Sequence, residues 1–286
     1  MTRLDRRLLF TTGAAAALLA ATGVSAHASP KRGGRLVAAL SGADRSDTWA
    51  QPQGIFMQAA RGAVYETLTE IAADGTLRGD IASGWATQDG GLTWEFETHS
   101  NVIFHDGLAL GMDDVAAVFA RHADLNVLTA QTIGDRTLQI TLTAPNPSLP
   151  YLLADPKFAV LPADQSRQDA GIGTGLYSVQ KFQAGRHFIG TRVSVHRKDG
   201  TAGWFDTVEL VSIPSDTVRA EALRDTLIDV ADIVALDEYS DPLDFQLLPS
   251  DHAPQQVARK TIGVPAAVGA AWPLDDLRMT QRWWMA

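Results

Sequence analysis

Hydrophobic and polar residues recur with two different periods along the chain. In the segment 92–97, and again in 135–147, apolar and polar residues alternate, which predicts strands with one buried and one solvent-facing side. From Gln53 to Leu68 the apolar residues recur at helical spacing instead, which predicts an amphipathic helix. Because both periods occur in turn, we expect an α/β or α+β fold with a mixed β-sheet.

Shorter apolar stretches, bounded by turn residues, predict the other main elements. A helix is expected from about Ser215 to about Ile228, since Ser215 or Asp216 can accept hydrogen bonds from its first amides. Beyond Tyr239 the pattern weakens and predicts irregular structure. The further strands are predicted at Gly33–Leu40, Gly173–Phe182, His187–Arg197, Phe205–Ile213 and Asp229–Leu236.

The N-terminal segment predicts export. A basic start that includes the pair Arg6-Arg7 leads into an uncharged stretch from Leu8 to Ala26, and small residues continue to Ala28. This order predicts a secretory signal peptide over residues 1–28, cleaved after Ala28. The paired arginines resemble a twin-arginine signal, which directs folded proteins to the bacterial periplasm. A membrane anchor is the alternative, but the stretch is rich in Ala, Gly and Thr rather than in Leu and Ile.

Composition excludes several classes of function. The formal net charge of −9 argues against a nucleic-acid partner, because phosphate backbones are bound through basic surfaces. The sequence contains no cysteine, which excludes disulfides, thiolate metal ligands and a cysteine nucleophile. It also contains neither a GxSxG nor an HExxH motif, so we predict no catalytic residue and no cofactor.

One histidine and three aspartates cluster near the first third of the chain and invite a metal or acid–base interpretation. His105 stands just before Asp106-Gly107, a dipeptide that favours a turn. The pair Asp113-Asp114 opens a predicted helix, whose N-terminal dipole favours carboxylates. The pattern therefore predicts a turn followed by a helix start rather than a metal site.

Two other motifs are also interpreted as structural. The glycines of Gly171–Ser178 resemble a phosphate-binding loop, but nucleotide fingerprints need a strand before and a helix after the loop. Here a polar segment precedes and strand-like residues follow, which predicts a glycine-rich crossing loop. The acidic series from Asp225 to Asp244 lacks the alternating spacing of a calcium loop and predicts a solvated edge.

The seven tryptophans fall into two groups by their surroundings. Trp85 and Trp94 lie in apolar, strand-like segments and are predicted to belong to the core. Trp49, Trp204 and Trp272 lie in loop-like segments, where an aromatic ring can contact a bound ligand.

Several motifs then occur in a familiar order. The stretch 63–122 holds a helix that ends in Tyr-Glu-x-Leu, an Ala-x-x-Trp, a Phe-His-Asp-Gly and an Asp-Val helix. The segments "GTGLYSVQKF" and "GWFDTVELVSIPSDTVRAEALRDTLIDVADI" follow at matching spacing. Together, over about Gly34–Ile233, they resemble bacterial extracellular solute-binding proteins of family 5, the peptide, nickel and opine type of periplasmic component of ABC importers.

The sequence departs from the family pattern in three ways. Leu176 replaces a usual proline, and Leu227-Ile228 replaces a usual Gly-Glu. Members are also roughly twice as long, and "WPLDDLRMTQRWWMA" at the end of this chain resembles the start of their second lobe. The resemblance therefore implies a single solute-binding lobe with a mixed β-sheet and an inserted α+β subdomain, with the second lobe missing.

The family architecture implies a division of the chain into four parts. Residues 1–28 form the signal peptide, and 29–54 together with 171–236 form the main lobe. Residues 55–170 form the inserted subdomain, and 237–286 form an irregular C-terminal segment.

The resemblance also implies a function and a site. The expected function is that of the periplasmic component of an ABC importer, which binds a small peptide or similar solute reversibly. Its expected partners are inner-membrane permease subunits and a possible partner that supplies the missing lobe. The candidate ligand-binding residues are Ser41, Gly42, Ala43, Trp49 and Tyr177.

Two alternative functions stay open. The chain could be a truncated, non-transporting relative that acts as a periplasmic interaction protein or has no present function. A hydrolase that uses scattered carboxylates is the third interpretation.

Overall fold

The computed structural model describes residues 32–52, 54–72, 76–234, 245–247 and 255–259. The predicted signal peptide and Trp272 lie outside these residues, as does most of the segment 237–286. None of the described helices is both long and apolar enough to cross a membrane.

The described elements alternate between strands and short helices. The strands are β1 (Arg35–Leu40), β2 (Thr69–Ile71), β3 (Leu77–Gly79), β4 (Ala82–Thr87), β5 (Thr93–Thr98), β6 (Val127–Ile133), β7 (Thr137–Leu142), β8 (Tyr177–Gln183), β9 (His187–Arg192), β10 (Thr207–Ser212), β11 (Val230–Ile233), β12 (Phe245–Leu247) and β13 (Gln255–Arg259). The α-helices are α1 (Gly54–Val64), α2 (Met112–Arg121), α3 (Leu149–Leu152), α4 (Gln165–Asp169) and α5 (Asp216–Arg224). Two 3-10 turns lie at Ala123–Leu125 and Pro156–Phe158.

The largest sheet in the described part has seven strands in the order β12-β13-β11-β1-β10-β9-β8. Strand β1 is parallel to both β10 and β11, whereas the outer pairs are antiparallel. Leu36 and Ala38 face α1, while Ala39 packs with α5 residues on the other side. Burial on both faces explains why β1 is a nearly continuous apolar run rather than an alternating one.

The segment between α1 and β8 forms the smaller sheets. Strands β4, β5, β7 and β6 make an antiparallel sheet in that order, and β2 pairs with β3. Trp94, Phe96, Leu138 and Ile140 point inward from β5 and β7, as the alternating pattern predicts. Their polar neighbours face the other side of the sheet, which is open to solvent.

The prediction of an α/β fold with a mixed sheet is confirmed. The prediction of irregular structure beyond Tyr239 is wrong for β12 and β13, which extend the main sheet from β11. Other differences lie at the ends of elements. The first helix ends at Val64 rather than Leu68, because the next four residues form a buried link to β2. The last helix ends at Arg224, two residues before Thr226, which has a φ of 61°. The boundaries of the inserted subdomain remain a prediction.

Candidate functional site

The carboxyl ends of the three parallel strands meet at one edge of the main sheet. Leu40 lies beside Ser212, and Ala39 lies beside Ala231. Because β10 and β11 flank β1 on opposite sides, the strand order reverses at β1. In open α/β sheets, ligands bind outside the carboxyl ends of the strands at such a reversal. The loop that follows β1, Ser41–Ala43, occupies this position.

A buried carboxylate fixes the start of this loop. Asp232, in β11, accepts a hydrogen bond from the main-chain N–H of Ser41 at 2.9 Å and a second one from the Ser41 hydroxyl. Burial raises the pKa of Asp232, while the Ser41 hydrogen bond and the charge of Arg219 act to lower it. The loop is thus joined to β11 as well as to its own strand.

Arg219 of α5 connects the ends of β10 and β11. Its Nε donates to the main-chain oxygen of Asp232 at 2.7 Å, and its Nη1 donates to the main-chain oxygens of Ile213 at 2.6 Å and Pro214 at 3.0 Å. Its Nη2 donates to Asp216 Oδ1 at 3.0 Å. A buried guanidinium with this many acceptors holds its neighbours in fixed positions, so the edge is a rigid platform.

The next residue needs to be glycine. Gly42 has a φ of 74°, a left-handed conformation that side chains disfavour, and it is exposed. It also packs against Gly54 at the start of α1, where an added Cβ would lie only 2.1 Å from the Gly42 carbonyl oxygen. The close approach of these two glycines sets the path of the loop.

The main chain of the loop is available for binding. The carbonyl of Ser41 accepts from Phe56 N at 3.2 Å, which ties it to α1. The main-chain groups of Gly42 and Ala43 make no hydrogen bond to any other described residue. A solute with its own amide groups can therefore pair with them without breaking a bond that already exists.

Trp49 and Tyr177, two of the candidate ligand-binding residues, lie in the core. Trp49 is 4% exposed and packs against Phe182, with ring centroids 4.5 Å apart. Tyr177 is fully buried, and its hydroxyl donates to the Phe205 carbonyl at 3.0 Å. Burial raises the pKa of Tyr177 to about 12. Neither ring presents a face to a solute.

Asp232 and Arg219 were not identified as site residues from the sequence. The prediction of a solvated edge is wrong for Asp232, which is fully buried. Its sequence neighbours could have identified it, because Asp232 lies inside the apolar run "VADIV". A carboxylate buried in such a strand needs a partner, since an unpaired one is costly to bury. No comparable signal marked Arg219, whose partners come from the segment 213–216 and from Asp232 in β11.

The cluster of His105 and aspartates is structural in this fold. The N–H of Gly173 donates to His105 Nδ1 at 3.3 Å, so Nε2 donates to the Gly175 carbonyl at 2.8 Å. Burial lowers the pKa of His105, which favours this neutral form. Asp114 accepts from Gly111 N at 2.9 Å at the start of α2. Both groups thus form the turn and helix start that the sequence predicts.

Asp106 is held at the surface by an arginine. Its two carboxylate oxygens accept from Arg167 at 2.7 and 3.0 Å. Among the described residues, no three metal-ligating side chains converge on one point.

A second buried charge cluster joins the smaller sheets to the loop after β9. Arg197 donates to both carboxylate oxygens of Glu66 at 2.6 and 2.7 Å, and to Asp80 Oδ1 at 2.6 Å. Lys198 Nζ lies 2.8 Å from Glu70 Oε2 and 2.6 Å from Asp80 Oδ1. Burial acts to raise the pKa of Glu66, but the charges of Arg197 and Lys198 outweigh it and hold that pKa well below its usual range.

Comparison with known protein families identifies the family of this chain. The model of the family described as "Bacterial extracellular solute-binding proteins, family 5 Middle" matches residues 76–259. That range is more than half of the chain, and the chain belongs to this family. The resemblance recognised from the motifs is therefore confirmed.

Two solved structures share the fold. The binding protein AgaA of A. tumefaciens R10, in complex with agropinic acid, aligns with a TM-score of 0.69 at 22% identity over 75% of this chain and 48% of that one. The ABC transporter-associated periplasmic binding protein DppA of Helicobacter pylori, in complex with the peptide STSA, aligns with a TM-score of 0.67 at 20% identity. That alignment covers 76% of this chain and 50% of DppA. The chain thus spans about half the length of these neighbours.

Among curated proteins, the chain is similar to a regulator. The HTH-type transcriptional regulator SgrR of Escherichia coli (strain K12) is 34% identical over 148 residues. The alignment covers 46% of this chain and 27% of SgrR.

Proposed function

We propose that this chain is the periplasmic solute-binding component of an ABC importer, and that it binds a small peptide or similar solute reversibly, without catalysis. The observation that carries the proposal is the loop Ser41–Ala43, fixed at the carboxyl edge of the main sheet with main-chain groups of Gly42 and Ala43 that have no described partner. Membership in a solute-binding family supports the same function.

The proposed mode of binding is an extended solute that pairs with this loop. Main-chain hydrogen bonds recognise amide groups regardless of side chain, which suits a peptide. Asp232 and Arg219 act as positioning residues, since they hold Ser41 and the strand ends and do not face the solute. Trp49 and Tyr177 support the site from the core below.

The proposed partners follow from the importer function. The permease subunits in the inner membrane would receive the solute, and residues 1–28 would direct export to the periplasm. A solute enclosed on one side only loses the affinity that a second surface provides, on the order of 10³-fold or more. We therefore propose that a second surface, which a partner supplies, covers the solute.

Titration of the purified chain with peptide mixtures tests the proposal, with tryptophan fluorescence and melting temperature as readouts. Saturable shifts are expected at up to millimolar peptide. Their complete absence would reject binding by this chain alone.

A pair of glycine variants locates the site. Gly42→Ala places a Cβ 3.2 Å from the Gly54 Cα and shifts the loop, so we expect solute affinity to fall by about tenfold or more. Gly90→Ala is the matched control, because Gly90 has a similar φ of 71° but nothing within 4 Å of its added Cβ. If both variants bind like the wild type, the site lies elsewhere.

The similarity to SgrR favours a second candidate, in which solute binding serves sensing or protein interaction rather than transport. Uptake of a labelled solute that binds in vitro distinguishes the two. Loss of uptake in cells that lack this chain supports the importer, whereas unchanged uptake supports the second candidate.

A further inference from the structure

Strand β6 forms one edge of the four-stranded sheet. The order β4-β5-β7-β6 gives it a single neighbour among the described strands. Its sequence, VLTAQTI, is uncharged and rich in β-branched residues, yet residues 128–133 are all exposed. Leu128 is 66% exposed and Ile133 is 44% exposed. An uncharged strand that lies open along its edge is a template for pairing with another strand.

Two other sheet edges carry features that discourage such pairing. Strand β8, at one edge of the main sheet, contains Lys181 beside a register shift. Strand β4, at the opposite edge of the smaller sheet, contains Gly84 beside a register shift. Strand β6 has a register shift only between Val127 and Thr129, and it contains neither a charged residue nor a proline. Residues 129–133 therefore form a regular edge without these protections.

The hydrogen bonds of β7 show which of its residues bond to β6. Leu142 N donates to the Leu92 carbonyl at 2.8 Å, and Thr98 N donates to the Arg136 carbonyl at 2.9 Å, both on the β5 side. Successive residues of a strand direct their N–H and C=O groups to opposite sides. The even-numbered residues of β7 therefore bond to β5, and the odd-numbered residues bond to β6.

The same alternation identifies the main-chain groups of β6 that face away from the sheet. Thr129, Gln131 and Ile133 lie opposite odd-numbered residues of β7, so their main-chain groups bond to β7. The main-chain groups of Ala130 and Thr132 must then point to the free edge. No described residue outside β7 makes a hydrogen bond to the main chain of either residue. These two residues provide the donors and acceptors for a further strand.

We propose that β6 pairs in antiparallel orientation with β6 of a second copy of this chain, with Gln131 on the two-fold axis. In this register, Ala130 of each protomer lies opposite Thr132 of its partner, and each such pair exchanges both of its N–H···O bonds. Thr129 of each protomer lies opposite Ile133 of its partner. The pairing thus uses the main-chain groups that the sheet leaves free, over the whole regular part of the strand.

The side chain at the axis favours a second copy as the occupant. A residue on a two-fold axis meets its own copy, so a charged side chain there would face a like charge. Gln131 is instead self-complementary, because its amide both donates and accepts hydrogen bonds. Residues 129–133 contain no charge, so the register brings no like charges opposite each other within the paired segment.

The pairing closes on itself and is small. A two-fold axis at β6 uses this edge of both protomers and leaves β4 outside the contact, so the product is a dimer rather than a fibre. Small interfaces are weak, and we expect a dissociation constant on the order of 100 µM. The proposal does not depend on the proposed function, because β6 belongs to the smaller sheet and not to the edge that carries Ser41.

Sedimentation velocity of the purified chain tests the proposal, from about 5 µM to about 500 µM protein, which brackets this dissociation constant. The average mass should rise from monomer to dimer and no further. Gln131→Lys places like charges at the axis and should weaken dimerisation by about fivefold or more. Gln88→Lys is the matched control, because the exposed Gln88 follows β4 at the opposite edge. A monomer at every concentration, or equal weakening by both variants, would overturn the proposal.

The absence of cysteine from the chain allows a test of the register. Opposite residues in a non-hydrogen-bonded antiparallel pair have Cα atoms about 4.5 Å apart, within the range that a disulfide spans. Gln131→Cys should therefore form a disulfide-linked dimer under mild oxidation, about tenfold faster or more than the control Gln88→Cys at equal concentration. Equal rates of crosslinking in the two variants would overturn the proposal.

Hydrogen exchange of the wild type separates pairing with a second copy from coverage by another segment of the chain. The amides of Ala130 and Thr132 should exchange rapidly in dilute protein and slowly in concentrated protein, where the dimer forms. The amide of Gln131 bonds to β7 and should exchange slowly at both concentrations. Slow exchange of Ala130 and Thr132 in the monomer would show that another segment covers the edge, and it would overturn the proposal.

Discussion

Arg61 is buried and the side chain of Arg197 is only 10% exposed, yet their surroundings are opposite. Arg197 donates to Glu66 and Asp80, and these charges outweigh its burial and raise its pKa. Arg61 has one long bond to a carbonyl, and burial lowers its pKa to about 10. The difference teaches that burial alone does not decide the role of a charge in this protein. Arg197 joins two segments of the chain, whereas Arg61 has no acidic partner within ion-pair distance among the described residues.

Arg219 stands between these cases. It lies 3.1 Å from the carboxylate of Asp232, but most of its hydrogen bonds go to main-chain carbonyls. Its acceptors come from β11 and from the residues that follow β10. The same residue type therefore pairs with carboxylates at Arg197, bonds mainly to main-chain carbonyls at Arg219, and is left with one long hydrogen bond at Arg61, depending on the acceptors that the fold places around it.

The largest effect is expected from Arg197→Met. The substitution leaves Glu66 and Asp80 as buried carboxylates beside Lys198 and His196, so we expect a loss of about 3 kcal/mol in the free energy of unfolding. Urea denaturation measures this loss. Arg136→Met, which breaks an exposed pair, should cost less than about 1 kcal/mol. Equal costs for the two variants would refute the comparison.

Glu66→Gln should show how the network depends on pH. The folded pKa of Glu66 is lowered, so its charge contributes stability above the unfolded value of 4.5, and this contribution is lost as the pH falls through the folded pKa. The variant should be about 2 kcal/mol less stable than the wild type at neutral pH.

The same variant should approach the stability of the wild type in acid. Asp80 acts in the opposite direction, because burial raises its pKa and its contribution declines as the pH rises from the unfolded value of 3.8 towards the folded one. Urea denaturation across this pH range measures the difference in the free energy of unfolding between the wild type and Glu66→Gln. This difference should follow the ionisation of Glu66. A difference that stays constant with pH would contradict the role assigned to it.

Ser41→Ala should have an intermediate effect on the platform. It removes a hydrogen bond to the buried Asp232 carboxylate, which costs about 1–2 kcal/mol of unfolding free energy. The matched control is Ser83→Ala, because Ser83 is exposed and donates only to the Glu97 carbonyl at 3.1 Å. In thermal melting, Ser41→Ala should show the lower free energy of unfolding. That of Ser83→Ala should stay within about 0.5 kcal/mol of the wild type.

Arg61→Met should have the smallest effect. Removal of an uncompensated buried charge offsets the loss of its helix-end interaction, so we expect a change within about 1 kcal/mol in the free energy of unfolding. Urea denaturation provides the measurement. A loss as large as that of Arg197→Met would mean that the protein itself already compensates Arg61.

Local patterns in the sequence predicted much of the fold. Alternation in β5 and β7 identified the buried face that holds Trp94 and Leu138, because a strand exposes every second residue. The turn at His105 and the helix start at Asp113-Asp114 were also predicted, since both depend on neighbours within a few residues. Ends of elements were less accurate, because tertiary contacts after Val64 override helical spacing.

The candidate site was predicted only in part. The loop Ser41–Ala43 was proposed through the family resemblance and stays a prediction, and its position outside β1 agrees with the rule for open sheets. Trp49 was expected to contact a ligand because its sequence neighbours are loop-like, whereas Tyr177 was proposed through the family resemblance. The burial of Trp49 depends on contacts with Phe182 of β8 and Phe188 of β9, which are distant in sequence and which no local pattern reports.

The sequence by itself determined the family, the mixture of helices and strands, and the local turns, because periodicity, glycines and caps act over short distances. Only the tertiary structure decided which charges meet. Asp232 bonds to Ser41, which is 191 residues away in sequence, and Arg197 bonds to Glu66, which is 131 residues away. Arg61 has no acidic group within ion-pair distance among the described residues. The strength of an interaction between charges depends on distance in space and on burial, and neither quantity can be read from position along the chain.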